Sequence, residues 1–276
     1  MTLPQRAVSI GLTTVTPRFM VNLGSNHRHY AEVTSTNDVA RRLASDGAPA
    51  GTLVTADHQK AGRGRFGRRW LSPPGQSLLM SLILRPRSPG ERLGLITVAS
   101  ALAVAEVIEE MTVTTAEIKW PNDIVIRGKK VSGLLLESAQ NGPDQAPDFV
   151  ILGIGVNVNQ AEFPEDISDR ATSLVLECGY SISRDELRDR ILQRLSVYLD
   201  TIAGGDDRPL RQAYELRLVG VDRTIELASA PGNLRVSGIL RGIGQDGQIV
   251  IETPGGTMRS FYAGEVTTAA SAGEPR

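Results

Sequence analysis

One nine-residue run constrains this chain more than any other: Gly62-Arg63-Gly64-Arg65-Phe66-Gly67-Arg68-Arg69-Trp70. It holds three glycines and four arginines, and no Asp or Glu occurs between Asp57 and Glu91. Such a run lacks an apolar period, and glycine weakens helix and strand alike, so it must fold as a loop between regular elements. Glycine lets a backbone come close to a ligand. Arginine presents a fixed fork of donors that matches carboxylate and phosphate oxygens. Tryptophan adds an aromatic face with a polar edge. The combination predicts a loop that closes over an anionic ligand bearing a flat ring, such as an adenylate. A literal GxGxxG (Gly62, Gly64, Gly67) lies within it, but a dinucleotide-binding loop opens a helix. Here the chain runs on into Trp70-Leu71-Ser72-Pro73-Pro74, which cannot start one.

The rest of the chain makes that positive charge local. Formal net charge over 276 residues is -1, so no global field draws the protein to nucleic acid or anionic lipid. Cys178 is the only cysteine; it excludes an intramolecular disulfide and a cysteine zinc site, and it fits a reducing cytoplasm. No basic-apolar-small leader pattern opens the sequence. The longest apolar stretch, Leu93–Ile108, carries Thr97, Ser100 and Glu106. It is too short to span a bilayer and reads as a buried helix.

Residues 1–28 read as a lead-in with at most a short strand at Ala7–Leu12, too short for a winged helix-turn-helix domain. Ser35-Thr36-Asn37-Asp38 precedes Val39-Ala40-Arg41-Arg42-Leu43 as a helix start, ended by Gly47. Strands are predicted at Thr52–Ala56, Ser77–Leu84, Ile124–Ile126, Val131–Glu137 and Phe149–Val158, with a turn at Arg127-Gly128-Lys129. A long helix covers Gly94–Met111, and Asn141–Pro147 reads as a surface loop. Ser183-Arg184-Asp185-Glu186 is a capping box opening a helix, and another covers about Pro209–Leu216. After Gly220, short strands alternate with turn signals at Pro231-Gly232-Asn233, Asp246-Gly247 and Pro254-Gly255-Gly256, the pattern of a small barrel. Residues 269–276 read as a tail.

Three further motifs carry chemistry. In Lys119-Trp120-Pro121-Asn122-Asp123 the proline fixes a turn; the amide of Asn122 can read a base edge or phosphate, and the carboxylate of Asp123 can hold Mg²⁺. In Gly128-Lys129-Lys130-Val131-Ser132-Gly133 adjacent residues face opposite sides of a strand, so only one lysine can point inward. In Gly153-Ile154-Gly155-Val156-Asn157-Val158-Asn159 the two asparagines are expected on one strand face, with Asn157 either a structural bracket or a ligand contact. No GxSxG, Walker A or HExxH occurs, and His27, His29 and His58 form no ligand spacing.

In order, Ser-Thr-Asn, Gln-x-x-Gly-Arg-Gly-Arg-x-Gly-Arg-x-Trp, Lys-Trp-Pro-Asn-Asp, Lys-Val-Ser-Gly and Gly-Ile-Gly-Val-Asn make a set that resembles the biotin–protein ligases, from about Tyr30 to Asp200. The resemblance implies an α+β fold: a mixed sheet with flanking helices over residues 29–218 and a small SH3-like barrel over 219–268. It implies that biotin and ATP form biotinyl-5′-adenylate, with Mg²⁺ assisting, and that biotin then passes to a lysine of a biotin carboxyl carrier domain. Carried over by motif, the biotin pocket falls on Ser35, Thr36, Asn37, Gln59, Arg63, Gly64, Arg65, Lys130 and Gly133. The ATP contacts fall on Arg65, Arg68, Trp70, Asn122, Lys130 and Asn157, with Asp123 for Mg²⁺. Lys130 and Arg65 become the catalytic pair, Lys130 rather than Lys129 because it directly precedes Val-Ser-Gly. Phe66 departs from the basic or polar residue often found there. Tyr262 replaces an arginine that contacts nucleotide in some members. The resemblance implies no DNA partner and no membrane partner, and it leaves monomer and weak dimer open. The rival readings are a lipoate or octanoate ligase of the same architecture and a nucleic-acid binder using the Gly/Arg loop.

Overall fold

The computed structural model describes residues 22–85, 92–138, 147–229 and 234–268. The strand expected at Ala7–Leu12, most of the 141–147 loop, the Pro231–Asn233 turn and the tail lie outside the described residues. A seven-stranded mixed sheet forms the larger part. Its strands are β1 (Asn26–Val33), β2 (Thr52–Gln59), β3 (Ser77–Leu84), β4 (Glu117–Lys119), β5 (Asp123–Ile126), β6 (Lys129–Ser138) and β7 (Val150–Asn157). They lie in the order β1-β2-β3-β7-β6-β5-β4, with β1 parallel to β2 and the remaining pairs antiparallel. β3 is buried along its whole length, as its unbroken apolar run requires of a central strand.

Alternation along the strands builds two cores. Leu78, Met80, Leu82 and Leu84 of β3 enter the large cluster beneath helix α2 (Leu93–Thr112). Ile83 joins Val54 and Ile151 under α1 (Thr36–Ser45), where Ala40 and Ala44 pack. Successive strand residues point to opposite faces. α2 is apolar nearly all round because the sheet, α4 (Arg184–Gly204) and α5 (Arg208–Glu215) enclose it. One half of the capping box forms: Ser183 Oγ accepts from Glu186 N–H at 3.2 Å, while the Glu186 carboxylate accepts from Arg190.

Two strands fall where the sequence pointed elsewhere. β1 begins at Asn26, inside the segment read as a lead-in. Its residues are mostly exposed, because an edge strand with a polar outer face needs no apolar alternation. β7 ends at Asn157, so Asn159 does not share its strand face. The Asn159 amide instead brackets the backbone of Ile182, donating to its carbonyl at 2.9 Å and accepting its N–H at 3.0 Å. Between β5 and β6 the turn is two residues, Arg127 (φ 50°) and Gly128 (φ 76°). Both central residues carry the positive φ that tight hairpins demand.

The C-terminal part is a five-stranded antiparallel sheet of β8 (Thr224–Ser229), β9 (Leu234–Ile243), β10 (Ile249–Thr253), β11 (Thr257–Phe261) and β12 (Glu265–Thr268), ordered β11-β10-β9-β8-β12. It docks on the larger sheet through polar pins. Trp120 Nε1 donates to the Gly247 carbonyl at 3.1 Å, Arg92 to Gln245 O at 2.9 Å, and Ile243 N–H to Glu215 at 2.9 Å.

Candidate active site

The site forms on the α1 face of the sheet, where register lines up small residues. Gly153 of β7 pairs with Ser81 of β3 on one side and Leu135 of β6 on the other. Gly155 pairs with Leu79 and with Gly133. A Cβ on Gly153 would collide with the Asn37 amide, and one on Gly155 would lie 2.8 Å from the Trp70 ring. These glycines therefore make a floor on which side chains from α1 and the Gly/Arg loop rest directly.

At one end of that floor stands the Ser35-Thr36-Asn37 corner, all three residues buried. Ser35 holds the N-cap position of α1 without a side-chain capping bond, so its hydroxyl is left to the cavity it lines. Thr36 N–H and Oγ1 lie 2.7 and 3.0 Å from Gln59 Oε1. Ser81 Oγ lies 2.7 Å from Thr36 Oγ1 and 2.5 Å from Asn37 Oδ1. Asn37 Nδ2 donates to Glu137 at 2.7 Å. Ser81 and Glu137 were not singled out by any motif. Ser81 sits in an apolar run, and Glu137 lies 100 positions from Asn37; only sheet register brings them together.

At the other end lies the Gly/Arg loop. A ladder closes it, with Trp70 N–H donating to Gly62 O at 2.9 Å and Gly64 N–H to Arg68 O at 2.7 Å. Its tip is a 3-10 turn, Arg65–Gly67, in which Phe66 is exposed at φ 56° beneath the Arg65 and Arg68 guanidiniums. Arg65 donates to Asn122 Oδ1 at 3.2 Å and to Gly264 O at 3.3 Å. Its burial pulls its pKa below the ordinary arginine value. Arg68 meets Glu265. Arg63 forks onto Asp38 at 2.7 and 2.6 Å. That contact holds the Asp38 carboxyl below the usual carboxylate range and raises the Arg63 pKa.

Lys130 lies over Gly133 of the floor. Its ammonium donates to Asp123 at 2.6 Å and lies 5.8 Å from the Trp70 ring centroid. Lys129 points away and donates to Ser168 O at 3.2 Å. Asn122 donates to Leu134 O at 2.7 Å. Asn157 is buried and donates to Thr172 O at 3.0 Å. Trp70 rests on Gly133 and Gly155 with its Nε1 buried and without an acceptor among the described residues.

Two cavities flank these residues. The larger, about 440 Å³, lies between the start of α2 and the C-terminal sheet, lined by Arg92, Trp120, Pro121 and Tyr262 among others. The smaller, about 40 Å³, is lined by Ser35, Thr36, Asn37, Gln59, Arg63, Trp70, Gly133 and the floor glycines. The smaller carries the chemistry, because the convergent polar groups are there. Its volume admits about three or four waters at roughly 10–15 Å³ each, and Trp70 forms part of its wall. Among the described residues, no three His, Cys, Asp or Glu side chains group as a metal site, and no helix is long and apolar enough to cross a membrane.

Comparison with known proteins gives the arrangement a context. Residues 30–157 match the Biotin/lipoate A/B protein ligase family. The chain is 36% identical to the Bifunctional ligase/repressor BirA of Bacillus subtilis over 244 residues, covering 87% of this chain and 74% of that protein. It is 33% identical to the Biotin–[acetyl-CoA-carboxylase] ligase of Mycobacterium tuberculosis, covering 87% and 89% respectively. The Aquifex aeolicus biotin protein ligase, solved in complex with biotin and ATP, superimposes with a TM-score of 0.77 at 33% identity, over 90% of this chain and all of that one.

Proposed function

We propose a two-step biotin ligation for this chain, which belongs to the biotin protein ligase family. It is an ATP-dependent biotin–protein ligase. In the first step a biotin carboxylate oxygen attacks the α-phosphorus of ATP, the bond to the β-phosphate oxygen breaks, and pyrophosphate leaves. In the second, the amine of an acceptor lysine attacks the acyl carbon of biotinyl-5′-adenylate; AMP departs and the amine loses a proton. The acceptor is the carrier domain of a biotin-dependent carboxylase, and the reaction is placed in the cytoplasm.

The observation that carries this reading is the position of Lys130, over Gly133 of the glycine floor and beside Trp70 of the arginine loop. A carboxylate and a triphosphate repel, and fixed cations must offset that repulsion in the transition state. Lys130 bridges the two anions. Arg65 and Arg68 hold the phosphates, and Arg63 and Gly64 bound the biotin side with Ser35, Thr36, Asn37, Gln59 and Gly133. In the ligand-free protein each of three cations rests on an internal carboxylate: Arg63 on Asp38, Lys130 on Asp123, Arg68 on Glu265. Substrate oxyanions take over these cations and release Asp38, Asp123 and Glu265, each partly exposed, to solvent.

Trp70 leaves the glycine floor as biotin enters and then faces the adenine, with Asn122 and Asn157 completing the nucleotide side. Asp123, once Lys130 turns to substrate, is a single carboxylate beside the phosphates. With phosphate oxygens and water it is a donor set that Mg²⁺ accepts. Residues 29–218 form the catalytic unit. The C-terminal sheet, 219–268, is assigned as an SH3-like barrel whose Gly264 and Glu265 brace the loop. Biotin, lipoate and octanoate, each offered with ATP, distinguish this reading from the related ligases. Pyrophosphate release is expected with biotin, and release with lipoate or octanoate but not biotin would end the reading.

A further inference from the structure

We infer that Glu137 is the positioning residue that sets the donor–acceptor polarity of the biotin pocket. The inference rests on the reading that this pocket takes biotin, and begins from a chain of hydrogen bonds pinned at both ends. At one end Thr36 N–H can only donate, so the Gln59 atom 2.7 Å away must be the oxygen. The Gln59 Nε2 group is thereby turned away from Thr36, and it approaches Gly62. At the other end the Glu137 carboxylate can only accept, so the Asn37 atom 2.7 Å away must be Nδ2. Asn37 Oδ1 then faces Ser81 and takes its proton at 2.5 Å. The Thr36 hydroxyl donates to Gln59 Oε1, and the Ser81 proton is shared between Asn37 Oδ1 and Thr36 Oγ1.

Only one orientation of both amides satisfies every member of this chain. Remove Glu137 and one end is released: Asn37 can flip, Ser81 can reverse its proton, and the pocket has two hydrogen-bond patterns instead of one. The Asn37 amide sits flush on the Gly153 floor, where a Cβ would otherwise be. The chemistry at stake is the ring end of biotin, a ureido group with fixed N–H donors and one carbonyl acceptor. A site built to meet such groups rejects acids that lack them. Glu137 thus acts through Asn37 and Ser81 to favour a ureido-bearing acid over a purely apolar one.

A merely structural role is the competing reading, since Glu137 also lies 3.4 Å from Arg41 and 3.9 Å from Arg63. Two variants separate them, measured in full-length protein by biotin-dependent ATP–pyrophosphate exchange. E137A should raise KM for biotin by about ten- to a hundredfold, the range for losing a hydrogen bond to a charged group, with KM for ATP and kcat unchanged. E137Q can accept from Asn37 Nδ2 or donate to its Oδ1, so it keeps a bond but not the pin, and should raise the biotin KM less than E137A does. N37D provides a second comparison should E137A fold poorly: it sets two carboxylates face to face, and adding E137Q restores a donor and recovers biotin KM. An unchanged KM in E137A, an E137Q loss as large as that of E137A, or no recovery in N37D/E137Q overturns the inference. Should the wild type show no biotin-dependent exchange, the ligase reading itself falls. The Asn37–Glu137 bond is still decided then, by a double-mutant cycle in urea unfolding, where zero coupling between N37A and E137A overturns it.

Discussion

The two ends of the glycine floor solve opposite problems. At the Ser35–Asn37 end the Thr36, Asn37, Gln59 and Ser81 polar groups are tied within the protein, and all but the half-buried Gln59 are buried. At the Arg63–Trp70 end the side chains are largely exposed, the cations rest on replaceable carboxylates, and one indole N–H has no partner among the described residues. A neutral, directional ligand group is best met by a network fixed beforehand, since reorganising buried hydrogen bonds is costly. Anions that arrive and leave are best met by cations that exchange one oxyanion for another. On the proposed function, the difference puts recognition and chemistry at separate ends of the glycine floor, with Lys130 over Gly133 beside the loop.

That separation can be broken by experiment. Arg65→Ala removes the half-buried guanidinium on the phosphate side. It should lower kcat for adenylate formation by about 10²–10³, the scale for losing one transition-state donor, while titration calorimetry gives biotin affinity near wild type. Equal losses in both would mean that the two ends act as one. Gly155→Ala places a methyl group against the Trp70 ring. Overpacking should cost about 1–3 kcal/mol in urea unfolding and displace the indole without ligand. Trp70 and Trp120 are the two tryptophans, and Trp120 is buried and bonded to Gly247. The emission change on adding biotin should therefore survive Trp120→Phe, vanish in Trp70→Phe, and be partly present beforehand in Gly155→Ala.

The smallest effect is expected at Arg63→Ala. Its pair with Asp38 is partly exposed, which limits the loss to under about 1 kcal/mol. The Arg63 contact depresses the folded pKa of Asp38. Its contribution is therefore fully present above the unfolded carboxylate range, near pH 4, and is lost as pH falls through the lower folded value. The stability gap between wild type and Arg63→Ala should close on acidification. A gap that widens toward low pH would contradict the pairing.

Much of this was legible in the chain. The Gly/Arg run announced a loop between regular elements, the apolar run of α2 its burial, Ser183 the cap of its helix, and the ordered motifs a family. Local signals of this kind depend on neighbours a few residues apart. What escaped depends on register and distance. β1 is a polar edge strand without alternation, so periodicity passes over it. Ser35 has the residue type of a cap, yet the corner turns its hydroxyl inward. Sequence left open which of two adjacent lysines points inward until a family resemblance chose between them. A register shift between Ile124 and Val125 marks the β5–β6 pairing at this point. Glu137 and Ser81 carry no motif at all and matter only because β3, β6 and β7 lie side by side.

One comparison tests the central claim that an inward ammonium joins two repelling oxyanions: biotin-dependent ATP–pyrophosphate exchange in Lys130→Ala beside Lys129→Ala. Lys130→Ala should abolish exchange, and Lys129→Ala, which removes only a bond to Ser168 O, should retain most of it. Equal rates in the two variants would contradict the mechanism.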